Sequence, residues 1–100
     1  AASRTAQDLQ AAITAFEAAA ITIDRFFETH DLLLSPTLAK PPIDLGVLHL
    51  DQDSADFGRE FVAFCPFAGL ANLTGCPAIT LPLGMSHDGL PIGIMAMAPF

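Results

Sequence analysis

This chain of 100 residues has few basic side chains, and their scarcity excludes one large class of partners. Four Lys and Arg residues stand against 11 Asp and Glu residues, which gives a formal net charge of −7. The four basic residues are scattered along the sequence: Arg4, Arg25, Lys40 and Arg59. Because nucleic-acid binding needs a basic patch that neutralises several phosphates, we expect no nucleic-acid partner.

Cysteine and histidine are scarce as well, and their spacing matches no metal site. Cys65 and Cys76 are too few for a disulfide framework, and both lie in apolar sequence, so we interpret them as reduced, buried structural residues. Neither lies at a zinc-motif distance from His30, His49 or His87. No glycine-rich phosphate loop is present either. We therefore expect neither a metal nor a cofactor.

Charge is missing from one long stretch, because no Asp, Glu, Lys or Arg occurs between Phe61 and His87. Hydrophobic residues make up 52% of the chain, although it has no Trp or Tyr. The mean hydropathy of +0.50 is high for a domain of this size, which can bury only about two-thirds of its unfolded surface. Pro66, Pro77 and Pro82 interrupt the stretch and argue against a membrane span. No signal peptide is evident, so we expect a cytoplasmic location, no membrane partner, and either a larger parent protein or a homo-oligomer.

The first half of the chain predicts one long helix and one strand. Apolar residues recur at three- and four-residue steps through residues 5–29, the pattern of one helix face: Leu9, Ile13, Phe16, Ala20, Ile23 and Phe27. Thr5 or Ser3 would cap the start of this helix. Leucines 32–34 then predict a short buried strand that Pro36 ends. Residues 37–50 are rich in proline and should form a packed loop.

The second half predicts two short helices and a pair of strands. Asp53 or Ser54 would cap a helix with Phe57, Phe61 and Phe64 on one face. A helix over residues 66–74 should end at Gly75, since glycine readily takes the left-handed conformation. Residues 78–83 and 92–98 read as strands joined through an Asp88–Gly89 turn. Together the pattern indicates an α/β fold with one long N-terminal helix, short helices and about three buried strands.

Two arrangements of reactive residues have simpler explanations than catalysis. Ser86, His87 and Asp88 are the residue types of a catalytic triad, but consecutive side chains point apart, which favours a solvated turn. A pair between Ser35 and Lys40 is conceivable, yet Lys40 lies on a proline-rich loop and nothing in the sequence buries it. Residue chemistry alone therefore predicts no active site.

Three motifs resemble the amidase signature family. Residues 26–38 (FFETHDLLLSPTL) resemble the segment in which a long helix is followed by D-x-L-L-x-P-T-L. Residues 71–82 (ANLTGCPAITLP) resemble the N-L-T-G-x-P-A-I-x-x-P stretch, and residues 88–93 (DGLPIG) resemble the D-G-L-P-V-G that follows it. The motifs occur in the family's order. Residues 41–48 and 64–70 look most like the branch of the family that includes aminohexanoate cyclic-dimer hydrolase.

This resemblance implies a mixed α/β sheet flanked by helices and an amide hydrolase with a serine nucleophile, a second serine in a cis peptide and a lysine base. Those three belong to a Gly/Ser-rich part of the family that has no counterpart here, and Lys40 does not fall at the family's lysine. We therefore assign no catalytic residue. Residues 1–100 should form a single unit, the carboxy-terminal portion of a larger amidase domain, with no activity alone. A small-molecule amide would be a partner of the full-length parent only.

The resemblance also suggests where a substrate would lie. Phe64 and Phe67 precede the helix at residues 66–74 or begin it, and we expect them to line the substrate pocket, although ordinary core packing would also explain them. The alternative to an amidase fragment is a stand-alone α/β interaction module that works by self-association. Under either hypothesis the exposed apolar surface of the isolated chain should drive oligomer formation.

Overall fold

The computed structural model describes residues 3–100, and these form three helices and three strands. In chain order they are α1 (Ala6–Phe27), β1 (Leu33–Pro36), α2 (Ser54–Phe64), α3 (Ala68–Thr74), β2 (Ala78–Met85) and β3 (Pro91–Met97). The predicted α/β class and the order of elements are confirmed. Within the described range, no helix is both long and apolar enough to cross a membrane.

Helix α1 begins at a capping box formed by Thr5 and Asp8. The Asp8 amide donates to the Thr5 hydroxyl at 3.2 Å, and the Asp8 carboxylate accepts from the Thr5 amide at 2.7 Å and from its hydroxyl at 2.8 Å. These hydrogen bonds from the Thr5 backbone and side chain lower the pKa of the exposed Asp8 carboxyl. The pairing satisfies amide groups that the first helical turn would otherwise leave unpaired.

The cap of α2 and the end of α3 lie where the sequence predicts them, whereas α3 begins at Ala68 and not at residue 66. Asp53 caps α2, because its carboxylate accepts a hydrogen bond from the amide of Ala55 at 2.9 Å. Helix α3 ends at Gly75, which has a φ of 72° in the left-handed region. This reversal leads the chain from α3 directly into β2.

The three strands form one antiparallel sheet in the order β1-β3-β2. β2 and β3 are the predicted hairpin, while β1 pairs with the far edge of β3, placing Ser35 opposite Met95. A bulge interrupts the β2–β3 ladder between Pro82 and Gly84. Every pairing among the described strands is antiparallel, so the mixed sheet that the resemblance implies would need strands other than these three.

Alternation along the strands divides the sheet into two faces. The inner face carries Leu33, Ser35 and Thr37 beside β1, Met97, Met95 and Gly93 on β3, and Ala78, Thr80 and Pro82 on β2. Ala71 and Cys76 form the buried core with Met97 on this side, and Ile23 and Phe27 of α1 pack against them. Cys65 and Cys76 are both free thiols, as expected, but the predicted burial is wrong for Cys65, which is half-buried at the end of α2, and holds for Cys76.

The outer face of the sheet has no cover within the described chain. It carries apolar side chains on all three strands: Leu34, Ile79, Leu81 and Ile94. The Ile79 residue is 58% exposed, and every other residue of β2 is exposed as well. The prediction of buried strands is therefore wrong for β2 in this chain, because burial requires a partner surface that an apolar sequence cannot supply by itself.

The exposed apolar surface agrees with the shape of the molecule. The chain is a slab of 47 × 42 × 14 Å with a radius of gyration of 16.3 Å, whereas a compact domain of this length has about 13 Å. Its accessible surface is 7661 Å², against about 5,400 Å² for a typical folded monomer of 10.5 kDa. The excess is as large as a substantial protein–protein interface.

Candidate functional site

The larger cavity lies over the inner face where the helices leave it uncovered. Its volume is about 460 Å³, within the range of small-molecule sites. The loop after β1, the inner face of the sheet and the β2–β3 turn line it: Thr37, Leu38, Ala39, Lys40, Pro41, Pro42, Thr80, Pro82, Ser86, Leu90, Pro91, Ile92 and Gly93. Most of these side chains are apolar, and a few polar groups converge among them.

The floor of the larger cavity is built from Thr37, Thr80 and Gly93. The Thr37 amide donates to the Gly93 carbonyl at 3.0 Å, and the Thr37 hydroxyl donates to the Thr80 hydroxyl at 3.2 Å. A methyl group on Gly93 would lie 2.7 Å from the Thr37 Oγ1 and 2.8 Å from the Thr80 Cγ2. The two threonines therefore close over Gly93, and only a residue without a side chain fits beneath them.

The rim of the larger cavity is formed by two anchored loops. The amide of Ala39 donates to the carbonyl of Phe64 at 3.0 Å, which ties the loop after β1 to the end of α2. Across the cavity, the Ser86 hydroxyl accepts from the amide of Leu90 at 3.0 Å and closes the β2–β3 turn. Lys40 is the one ionisable side chain among the described residues that line the cavity.

A smaller cavity of about 260 Å³ adjoins the first on the same face. It is lined by Leu33, Ser35, Pro66, Phe67, Leu70, Met95 and Met97. The Ser35 hydroxyl is buried there without a hydrogen-bond partner among the described residues. Thr80 of the larger cavity is paired with Met95 of the smaller one, so the linings of the two cavities are neighbours along β3.

The structure separates the two phenylalanines predicted to line a pocket. Phe67 is half-buried and lines the smaller cavity. Phe64 is also half-buried but lines neither cavity, and it contributes its carbonyl to the anchor of the loop after β1. Contact of either ring with a substrate stays a prediction.

Sequence reasoning missed the residues that form the cavity floor. Thr37, Thr80 and Gly93 belong to three separate segments, and nothing local marks them as neighbours. The alternation of side chains along each strand could have revealed them. Once β1 and β2 are paired to β3 in register, Thr37, Thr80 and Gly93 all lie on the inner face. The register itself comes from long-range pairing that the sequence pattern does not state.

The other residues considered for catalysis do not form a reactive group. The side chains of His87 and Asp88 are almost fully exposed at the turn, with Nδ1 and Oδ1 3.5 Å apart, while the Ser86 hydroxyl is engaged by Leu90. This is the solvated turn expected from the sequence. Ser35 and Lys40 line different cavities, so the structure does not assemble them into a pair. Within residues 3–100 no three metal-ligating side chains cluster.

Comparison with known sequences gives one consistent match. The model of the Amidase family matches residues 1–100. "Putative amidase AmiC" of Mycobacterium leprae is 46% identical over 77 residues, which are 75% of this chain and 16% of that protein. The 6-aminohexanoate-cyclic-dimer hydrolase of Paenarthrobacter ureafaciens is 35% identical over 85 residues, 78% of this chain and 17% of the enzyme. The chain thus spans about a sixth of the length of the curated relatives it matches.

Comparison of folds leads to the same group. The structure of 6-aminohexanoate cyclic dimer hydrolase superposes with a TM-score of 0.78 and 31% sequence identity. The match covers 96% of this chain and 21% of that enzyme. A second structure of that hydrolase, complexed with its substrate, gives the same score and coverage. The helices and sheet described above therefore correspond to one continuous part of a much larger fold.

Proposed function

This chain belongs to the amidase family, and from this premise we propose that it is the carboxy-terminal part of an amide hydrolase. The reaction adds water across the C–N bond of an amide and releases a carboxylic acid and an amine. The observation that carries the proposal is the superposition of 96% of the chain on a known amide hydrolase at 31% identity. The uncovered outer face supports the proposal independently, because a larger enzyme would bury it.

The catalytic groups, in this proposal, come from other parts of the enzyme. The hydroxyls of the larger cavity belong to Thr37, Thr80 and Ser86, and the recorded contacts of each are with one another or with backbone groups. None contacts a side chain that could take its proton, which a hydroxyl nucleophile requires. We therefore expect the 100-residue chain to hydrolyse no amide by itself.

The larger cavity is proposed as one wall of the substrate pocket. Its volume suits a small amide, and its apolar lining with a few hydroxyls is typical of sites that bury most of a small ligand. Phe67 and the buried Ser35 hydroxyl of the smaller cavity would extend the pocket along β3. A small amide is also the substrate named for 6-aminohexanoate-cyclic-dimer hydrolase, one of the relatives.

The test begins with the gene. The reading frame around the codons for residues 1–100 should encode a Gly/Ser-rich segment with a lysine and two serines. The longest product of that frame should release amine from small amides, while the 100-residue chain purified alone should not. Amide hydrolysis by the isolated chain that is abolished in Lys40→Met or Ser35→Ala would refute the proposal that the catalytic groups come from other parts of the enzyme. A frame that encodes only these residues would refute the fragment proposal and favour a self-associating module.

The isolated chain should also form homo-oligomers, because its outer face is apolar and uncovered. Sedimentation velocity over a range of concentrations measures this directly. A monomer at the highest concentration would contradict the expectation.

A further inference from the structure

Among the described residues that line the larger cavity, Lys40 is the one with a charged side chain. Building on the proposed function, we infer that Lys40 is a specificity-determining residue that selects amide substrates bearing a carboxylate. The amide would lie among the hydroxyls and apolar walls of the cavity, with its carboxylate at the Lys40 side.

The charge distribution of the chain makes this position unusual. The sequence contains 11 Asp and Glu residues, and none of them lines the cavity. It contains four Lys and Arg residues, and one of them does. A net charge of −7 gives the rest of the chain a field that repels anions. On such a molecule a single cation attracts an anionic ligand at one place only, so it favours ligands whose negative charge can reach that place.

The backbone on both sides of Lys40 is restricted. On the amino-terminal side, the amide of Thr37 donates a hydrogen bond to the carbonyl of Gly93, and the amide of Ala39 donates one to the carbonyl of Phe64, both at 3.0 Å. On the carboxy-terminal side, Pro41 restricts the conformation of Lys40 itself, because a residue before proline is confined to extended geometry. The four-carbon stem can therefore lie along the apolar wall while the ammonium stays in water at the rim.

The number of cations argues for a carboxylate rather than a phosphate. A single lysine presents one compact positive charge, which matches the charge of one carboxylate. Phosphate-binding sites usually add an arginine or several backbone amides, and the described lining of the cavity contains neither an arginine nor a glycine-rich loop. Hydroxyls from Thr37, Thr80 and Ser86 suit the neutral, polar amide in the same cavity.

The test uses the full-length enzyme and three 4-nitroanilides of equal chain length. Adipic acid mono-4-nitroanilide ends in a carboxylate, 6-aminohexanoyl 4-nitroanilide ends in an ammonium, and hexanoyl 4-nitroanilide ends in a methyl group. Lys40→Met removes the charge and keeps the stem, Lys40→Glu reverses the charge, and Arg4→Met is the control. Arg4 lines neither cavity, and its loss changes the net charge by the same amount.

The wild type should favour the anionic over the neutral substrate in kcat/KM by about tenfold, as expected for one partly screened ion pair. Lys40→Met should remove this preference through a higher KM for the anionic substrate at unchanged kcat, since the pairing exists in both ground and transition states. Lys40→Glu should shift the preference to the ammonium substrate, and Arg4→Met should behave as wild type. Added salt should weaken the charge preference of the wild type, of Arg4→Met and of Lys40→Glu, while Lys40→Met has no such preference to lose.

Two results would overturn the inference without touching the proposed function. One is hydrolysis of all three substrates with equal kcat/KM by the wild type. The other is a preference that Lys40→Met leaves unchanged while the melting temperature falls, which would mean that Lys40 pairs with another part of the enzyme. If the wild type hydrolyses no amide at all, the proposed function itself fails.

Discussion

Replacing Gly93 by alanine should destabilise the fold, and the structure gives the size of the effect. The added methyl group would meet Thr37 Oγ1 at 2.7 Å and Thr80 Cγ2 at 2.8 Å, whereas ordinary contacts begin at 3.4 Å. Both neighbours must therefore retreat by about 0.6 Å or more. Neither can rotate freely, because each is β-branched and their hydroxyls are joined at 3.2 Å.

Overpacking of this kind costs about 1–3 kcal/mol. The loss of unfolded-chain entropy on replacing glycine by alanine returns about 0.4–1 kcal/mol. We therefore expect Gly93→Ala to lower the free energy of unfolding by about 1–2 kcal/mol. Adding Thr80→Ser, which removes the clashing methyl group but keeps the hydroxyl, should restore part of the loss.

The matched control is Gly58→Ala in the middle of α2. Nothing lies within 4 Å of a methyl group at Gly58, so the same substitution should raise the free energy of unfolding by about 0.5–1 kcal/mol through helix propensity. Urea unfolding followed by far-UV circular dichroism measures both, since the chain has no tryptophan for fluorescence. A Gly93→Ala protein as stable as wild type would refute the close packing of the cavity floor.

Two further predictions concern the start of α1 and the outer face. Thr5→Ala should destabilise α1 by about 1 kcal/mol in the same urea assay, and by NMR titration the pKa of Asp8 should rise toward its ordinary value. Because folding lowers the pKa of Asp8, this carboxylate adds to the free energy of unfolding above its unfolded-state pKa, and the contribution is lost as the pH falls through its folded-state pKa. A Thr5→Ala protein whose stability depends on pH as the wild type's does would contradict this. Ile79→Lys on the outer face should reduce self-association of the isolated chain in sedimentation velocity. Leu45→Lys, at a fully exposed loop residue, adds the same charge and should leave association unchanged.

Local sequence patterns were sufficient for the helices and the hairpin. The end of α3 and the cap of α2 depend on residues within one turn. The structure ends α3 at Gly75 as predicted and takes Asp53, one of the two predicted candidates, as the cap of α2. The helix predicted over residues 5–29 is α1, shorter at each end. β1 was predicted over residues 32–34 but pairs through Pro36, because an edge strand tolerates a proline without an amide donor.

Long-range pairing and burial were beyond local patterns. The sequence did not reveal that β1 pairs with β3, and without that register Thr37, Thr80 and Gly93 could not be brought together as a cavity floor. The prediction of which residues are buried failed for a different reason. The stripe on α1 is apolar throughout, yet Phe16 is 53% exposed while Phe27 packs on the core, because the sheet and α3 cover only the last turns of the helix. An apolar pattern indicates that a surface needs to be covered, but it does not indicate which element covers it.

The strand order also determines when the sheet can form during synthesis. Among the described strands, β1 and β2 pair only with β3, which is made after them. Residues 37–90 separate β1 from its partner, so at ribosomal speeds of about 5–20 residues per second the completed β1 waits for roughly 3–11 s without a strand to pair with. A nonsense codon between β2 and Pro91 would remove more than β3 itself, because β1 and β2 would both lose the one described strand that pairs with them. The unpaired edges of β1 and β2 would then be open to chaperones or to other chains.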